Sequence, residues 1–145
     1  MDDLLDPPRD RYQLLDRLLS AEVHLANGDL DVVRSASQQA RTAIERLGLG
    51  DAASRELARL DVIDGRLRLE QADAAGATVF FRRALSVRQR VLDPKSPQVA
   101  EALIYLAKAR RAAGDSAETE QLLKAARVVL AAHPGVAPQF AAMAH

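Results

Sequence analysis

Two carboxylates in the middle of the sequence have a spacing that acid–base chemistry could use. Asp61 and Asp64 lie three residues apart, and a pair of carboxylates can exchange protons with a substrate. Arg68 follows Asp64 by four residues, a spacing that places the two side chains next to each other on a helix. We therefore interpret the three residues as a row of ion pairs on a helix surface, in preference to a catalytic pair.

Metal ligands, nucleophiles and phosphate loops are not indicated elsewhere in the sequence. None of the three histidines, His24, His133 and His145, is followed by a second ligand-type side chain three or four residues further on. There is no cysteine, and Gly48-Leu49-Gly50 is typical of a helix end rather than of a glycine-rich phosphate loop. We therefore expect no cofactor, no metal site and no enzymatic activity.

The composition of the chain limits the kinds of partner that it is expected to bind. The chain has 145 residues, with 20 Lys and Arg against 20 Asp and Glu, so its net charge gives no general attraction to nucleic acid or to an acidic membrane surface. No run of about 18 apolar residues occurs, and the acidic start of the sequence lacks the features of a signal peptide. We expect a cytoplasmic protein that binds neither nucleic acid nor a membrane.

The apolar residues predict an all-α fold, because Ala and Leu dominate them and recur at helical spacing. Glycine, proline and cap-forming Asp or Ser residues divide the pattern into six helices. Alternating short and longer links pair these helices into three hairpins, at about 9–47, 51–92 and 96–132, within a domain of residues 9–135. We expect residues 1–8 to form a flexible tail, and 136–145 a short helix that caps the domain or begins a truncated fourth unit.

Small residues recur at equivalent places in the three hairpins. Ala40, Ala84 and Ala126 on the second helices are separated by 44 and 42 residues. Three further columns lie at the turn within each hairpin, on the first helix, and near the start of the second helix: Gly28, Ala72 and Gly114; Ala21, Gly65 and Ala107; Val33, Ala77 and Thr119. Small side chains let neighbouring helices approach closely, so we expect these columns to mark the turns and crossing points of a repeat.

This repeat resembles the tetratricopeptide repeat family. The segments RRALSVRQRVLDPKSPQVAEALIYLAKARRAAGD and AETEQLLKAA carry the resemblance most clearly. The usual period of the family is 34 residues, and the longer period of this sequence is similar to the variant found in kinesin light chains and many bacterial proteins. The sequence departs from the family where an aromatic residue is common on the first helix, because His24, Arg68 and Arg110 stand there.

The resemblance implies a right-handed solenoid of about three repeats, with a concave face lined mainly by the first helices. That face would include residues from all three hairpins: Leu15, Leu18, Glu22 and Leu25; Arg59, Val62, Arg66 and Leu69; and Glu101, Ile104, Tyr105, Lys108 and Arg111. Its cations would suit an acidic side chain or a terminal carboxylate. The apolar members are equally compatible with packing between neighbouring helices.

The function implied by the resemblance is that of a non-catalytic scaffold or adaptor, which binds a peptide or protein partner in the concave groove. The alternative is a regulatory or oligomerisation segment of a larger bacterial protein that self-associates through its terminal helices. Val136, Phe140 and Met143 have helical spacing in the last segment. We expect them to cover the end of the third hairpin or to dock on a second chain and form a homodimer.

Overall fold

The computed structural model describes residues 7–47 and 53–133, and this part of the chain is helical without a strand. The all-α prediction is confirmed. None of the described helices is long and apolar enough to cross a membrane. The predicted capping segment, 136–145, lies outside the described residues. The six helices are α1 (Pro7–Ala26), α2 (Leu30–Leu47), α3 (Ser54–Glu70), α4 (Ala74–Val91), α5 (Pro97–Ala112) and α6 (Ser116–Ala131).

The helices pack as consecutive hairpins. Each helix contacts the next one along the chain. In addition, α1 contacts α3, and α3 contacts α5. The first helices of the three hairpins therefore lie side by side. We call the surface that they share the first-helix face; it carries Glu22, Arg59, Arg66, Tyr105 and Lys108.

The core consists of small and aliphatic residues at the helix crossings. All the small residues of the predicted helix columns are buried, and Ala77, Ala84 and Ala126 have no exposed surface. Gly65 is also buried, because the ring of Phe81 on α4 lies against its Cα. The remaining column members are Ala21, Val33, Ala40, Ala107 and Thr119. Close helix contact at equivalent places in each hairpin is what such columns permit.

The turn within each hairpin has the same backbone conformation three times. Gly28, Ala72 and Gly114 have φ angles of 81°, 59° and 86°, in the left-handed region. In each turn the next residue, an aspartate, donates its backbone N–H to a carbonyl oxygen five residues earlier, at 2.8–2.9 Å. This is the Schellman pattern that ends many helices. The turn column predicted from the sequence therefore corresponds to one repeated structure.

A basic side chain and an aspartate contact each other across the outside of each of these turns. His24 Nδ1 lies 3.2 Å from Asp29 Oδ2, and the corresponding atoms of Arg68–Asp73 and Arg110–Asp115 are 3.5 Å and 3.1 Å apart. Asp73 and Asp115 also cap the following helix, because each accepts a backbone N–H three residues on. His24, Arg68 and Arg110 therefore each contact the aspartate that ends the turn five residues later.

Ala72 gives the first prediction, since it alone among the three turn residues has a Cβ atom in the left-handed region. That conformation costs an L-residue about 1–2 kcal/mol, whereas glycine adopts it freely and loses part of this gain in chain entropy. We expect Ala72→Gly to raise the unfolding free energy by about 0.5–1 kcal/mol, measured by urea denaturation. Ala75→Gly, an exposed helical position, is the control and should destabilise the protein. A loss of stability in Ala72→Gly would contradict the prediction.

Candidate functional site

Two cations lie over one aromatic ring on the first-helix face. The Arg66 guanidinium carbon is 5.2 Å from the centroid of the Tyr105 ring, and Lys108 Nζ is 5.4 Å from the same centroid. Among the described residues, no ion pair joins either cation to a carboxylate. The ring face attracts both cations electrostatically, while the nearby carboxylates of Glu22 and Glu101 are paired with other arginines.

The ring of Tyr105 is itself supported from the core. It stacks on Phe81 with ring centroids 5.5 Å apart and an angle of 21° between planes. Phe81 is fully buried, and it occupies space that a side chain at residue 65 would need. A Cβ added to Gly65 would lie 2.7 Å from Phe81 Cδ1 and 2.8 Å from its Cζ. The glycine on α3 therefore makes room for Phe81, which positions Tyr105 and, through it, the two cations.

Tyr105 remains a neutral phenol at physiological pH. Burial raises its pKa above the ordinary value of 10.0, and the charge of Arg66 lowers it in part. The half-buried side chain keeps its hydroxyl proton and can donate a hydrogen bond. The site thus combines two cations with a neutral donor.

The acidic groups near this site are already held by other arginines. Arg59 Nε on α3 donates to Glu22 Oε1 on α1 at 2.6 Å. The buried guanidinium of Arg88 on α4 donates to Glu101 Oε1 at 3.0 Å and to the backbone oxygen of Gln98 at 2.7 Å. These contacts tie neighbouring hairpins together and keep both carboxylates engaged.

The apolar residues expected on the concave face belong mostly to the core, which corrects the groove predicted from the sequence. Val62 and Ile104 are 5% and 0% exposed, so no partner could reach them. Leu18 and Leu25 are buried as well, and Leu69 is half-buried against the core. The reason is that α3 and α5 are each enclosed by helices on more than one side, so apolar positions around most of their circumference are covered. Leu15, half-buried, and the exposed Arg111 remain accessible.

A group of charged residues joins the first hairpin to the second. Arg41 Nη2 on α2 donates to Asp61 Oδ1 at 3.1 Å and to Asp64 Oδ2 at 2.6 Å. Ser37 also donates to Asp64, and Arg83 Nε lies 3.7 Å from Asp61 Oδ2. The row of ion pairs predicted along α3 is therefore wrong in its partners, since Arg68 pairs with Asp73 and the two aspartates face α2.

Burial dominates the electrostatics of this group. The pKa of Asp61 is raised above 3.8, because loss of solvation outweighs the hydrogen bond from Arg41. Burial lowers the pKa of Arg41, but its hydrogen bonds to Asp64 and Asp61 more than offset this and leave the pKa raised. The two aspartates are thus held by an arginine and a serine, an arrangement suited to joining helices rather than to proton transfer.

Comparison of the chain with protein-family models, with curated proteins and with solved structures finds no significant match. The function must be inferred from the residues themselves. In the part of the chain that the structure describes, no three His, Cys, Asp or Glu side chains are grouped so as to hold a metal ion. What the first-helix face offers chemically is a phenol beside two cations that form no ion pair within the described residues.

Proposed function

We propose that this chain is a non-catalytic protein-binding domain of the tetratricopeptide type, whose first-helix face holds an acidic segment of a partner protein. The observation that carries this proposal is the placement of Arg66 and Lys108 over Tyr105 without a carboxylate partner among the described residues. Uncompensated cations on a surface attract anions, and a fixed pair of them selects where a carboxylate sits.

The repeated turn supports the fold part of this proposal. A residue in the left-handed conformation, the same backbone hydrogen bond and a contact between a basic side chain and an aspartate recur in all three hairpins. Hairpins that repeat and stack with their first helices side by side build extended surfaces for binding. On this reading the first-helix face is the concave face of a short solenoid.

A second accessible place on the same face extends the binding surface. A cleft of about 440 Å³ is lined by residues from α1, α3, the end of α4 and the start of α5: Leu15, Arg55, Glu56, Arg59, Arg88, Leu92 and Gln98. Arg59 and Arg66 are seven residues apart on α3, which corresponds to about 10 Å along the helix. An extended segment covers that distance in about three residues. Because Arg59 is already paired with Glu22, we expect a partner segment with an acidic group at Arg66 and Lys108 and, about three residues along, an aliphatic residue near Leu15.

If the proposed site is correct, charge reversal should weaken peptide binding strongly only at Arg66 and Lys108. We expect Arg66→Glu combined with Lys108→Glu to weaken binding of a fluorescein-labelled octaglutamate peptide by more than about tenfold, which is about 1.4 kcal/mol. Binding should also weaken with salt, because charges are screened within about 8 Å at 0.15 M. Fluorescence anisotropy measures both effects.

The matched control is Arg90→Glu combined with Lys124→Glu. These exposed cations lie on the second helices, and their reversal changes the net charge by the same amount. The control should reduce binding by less than about threefold. Equal losses in the two double variants would mean that the peptide senses only overall charge, and the proposed site would be wrong.

A further inference from the structure

Large apolar side chains are exposed mainly on the first hairpin. Of the six exposed in the described residues, Tyr12, Leu19 and Val23 lie on α1 and Val32 lies on α2. The first three follow at spacings of seven and four residues, which places them on one side of the helix. We call the surface formed by these four residues the outer face of the first hairpin.

The repeat shows what kind of structure covers this face elsewhere in the molecule. With the spacing of 44 residues between the first and second hairpins, Leu19 and Val23 correspond to Ile63 and Leu67 on α3. Ile63 and Leu67 are 1% and 5% exposed, because they pack against the α1–α2 hairpin. The outer face of the first hairpin is therefore the face on which, in the second hairpin, a preceding helical hairpin sits.

We propose that a second copy of this chain covers the face, with the two outer faces related by a two-fold axis. The distribution of charge along the face favours a second copy of the chain as the partner. Asp31 lies at the start of α2 and Arg46 at its end, 15 residues and about 22 Å apart. In an antiparallel pairing the acidic end of each copy meets the basic end of the other. The face is thus complementary to itself, whereas it offers no single charge to a strongly acidic or basic partner.

The clefts beside α1 have the same distribution of charge. One, of about 530 Å³, is lined by Asp16, Asp31 and Val32, and by Arg17, which it shares with the second cleft. The other, of about 210 Å³, is bounded by Arg17 and Arg46. Both lie between α1 and α2, so the acidic and basic ends belong to one surface. Arg34 already contacts Asp31 at 3.3 Å, but both side chains are well exposed and such pairs exchange partners at little cost.

The size of the face is sufficient for a dimer. A helix of 20 residues is about 30 Å long, and two packed helices are about 20 Å wide. Their outer surface is therefore about 600 Å², of the order of the roughly 800 Å² that each partner buries in a stable interface. Two-fold pairing is also the commonest form of self-association.

Sedimentation velocity of the 145-residue chain tests the proposal, over concentrations from about 1 μM to about 200 μM. We expect a reversible dimer of the 15.7 kDa chain. Leu19→Glu should raise the dissociation constant by more than about tenfold, because it places a charge in each half of the apolar contact. Val79→Glu is the matched control: Val79 on α4 has the same exposure, 57%, and its change should leave the constant unaltered.

Charge reversal distinguishes the two-fold arrangement from other pairings. Asp31→Arg alone and Arg46→Asp alone should each weaken the dimer, and the two changes together in one chain should restore it. Circular dichroism would verify that each variant keeps its helix content. A parent chain that is monomeric throughout, a Leu19→Glu variant that dimerises like the parent, or a double reversal as weak as the sum of its parts would each overturn the proposal.

Discussion

Replacing Phe81 with alanine is expected to lower the unfolding free energy by about 3–5 kcal/mol. Phe81 is the largest of the fully buried side chains and packs between α3 and α5. Its loss removes the apolar contacts of a whole ring and leaves a cavity among the core residues of α3, α4 and α5. The stacked support of Tyr105 is lost at the same time. Urea denaturation followed by circular dichroism measures the effect.

A second substitution, Gly65→Ala, distinguishes contact with the Phe81 ring from a general loss of packing, because its effect on stability should reverse when the ring is removed. In the parent chain the added methyl group meets the Phe81 ring, and overpacking of this kind costs about 1–3 kcal/mol. In the Phe81→Ala background the same methyl group enters the cavity and gains about 1 kcal/mol of helix propensity. Gly65→Ala should therefore destabilise the parent chain and stabilise the Phe81→Ala variant.

The parent and the three variants form a double-mutant cycle with an expected coupling of about 1–3 kcal/mol, the overpacking cost, because the helix-propensity gain is common to both backgrounds. Stabilisation by Gly65→Ala in both backgrounds would show that the ring can move aside, and the proposed support of Tyr105 by Phe81 would then be wrong. Anisotropy with the octaglutamate peptide adds a functional readout. We expect Gly65→Ala to weaken peptide binding in the parent chain, because a displaced ring shifts the two cations.

The features that could be predicted from the sequence are those determined by residues within a single hairpin. Helical spacing and cap residues indicated six helices, and the recurrence of small residues located both the turns and the buried crossings, including Ala84 and Gly114. These signals depend on neighbours within a few residues. The left-handed conformation of Ala72 could be inferred because glycine occupies both equivalent positions.

The features that sequence missed depend on contacts between hairpins. Asp64 and Arg68 have the spacing of a helical ion pair, but Asp64 contacts Arg41, 23 residues earlier. Nothing in the spacing along one helix reveals such a partner. Val62 and Ile104 could not be assigned to the groove or to the core for the same reason, because the pattern of one helix does not tell how many neighbours enclose it. A signal did exist for the turn pairs, since a basic residue precedes each turn aspartate by five residues in all three hairpins.

Arg41→Met should cost about 3 kcal/mol at neutral pH, because it leaves Asp61 and Asp64 buried without their main cation. The longer contact from Arg83 keeps Asp61 from being wholly unpaired, which places the expected loss at the lower end of the range for broken buried pairs. Arg34→Met on the same helix is the control. Arg34 is exposed and paired with an exposed aspartate, so its loss should change stability by less than about 0.5 kcal/mol.

The deficit of Arg41→Met should shrink as the pH falls. The folded pKa of Asp61 is already above its ordinary value of 3.8, so the folded state takes up a proton more readily than the unfolded state. Stability contributed by such a group falls as the pH rises from 3.8 through the folded pKa, and is regained on acidification. Removing Arg41 deletes a hydrogen bond that lowers the folded pKa of Asp61. In the variant, the pH range over which this stability is lost therefore extends to higher pH. The difference in unfolding free energy between parent and variant should therefore be smaller at about pH 4.5 than at about pH 7. A difference that stays constant across that range would show that Arg41 stabilises the junction by packing rather than by holding the charge of Asp61.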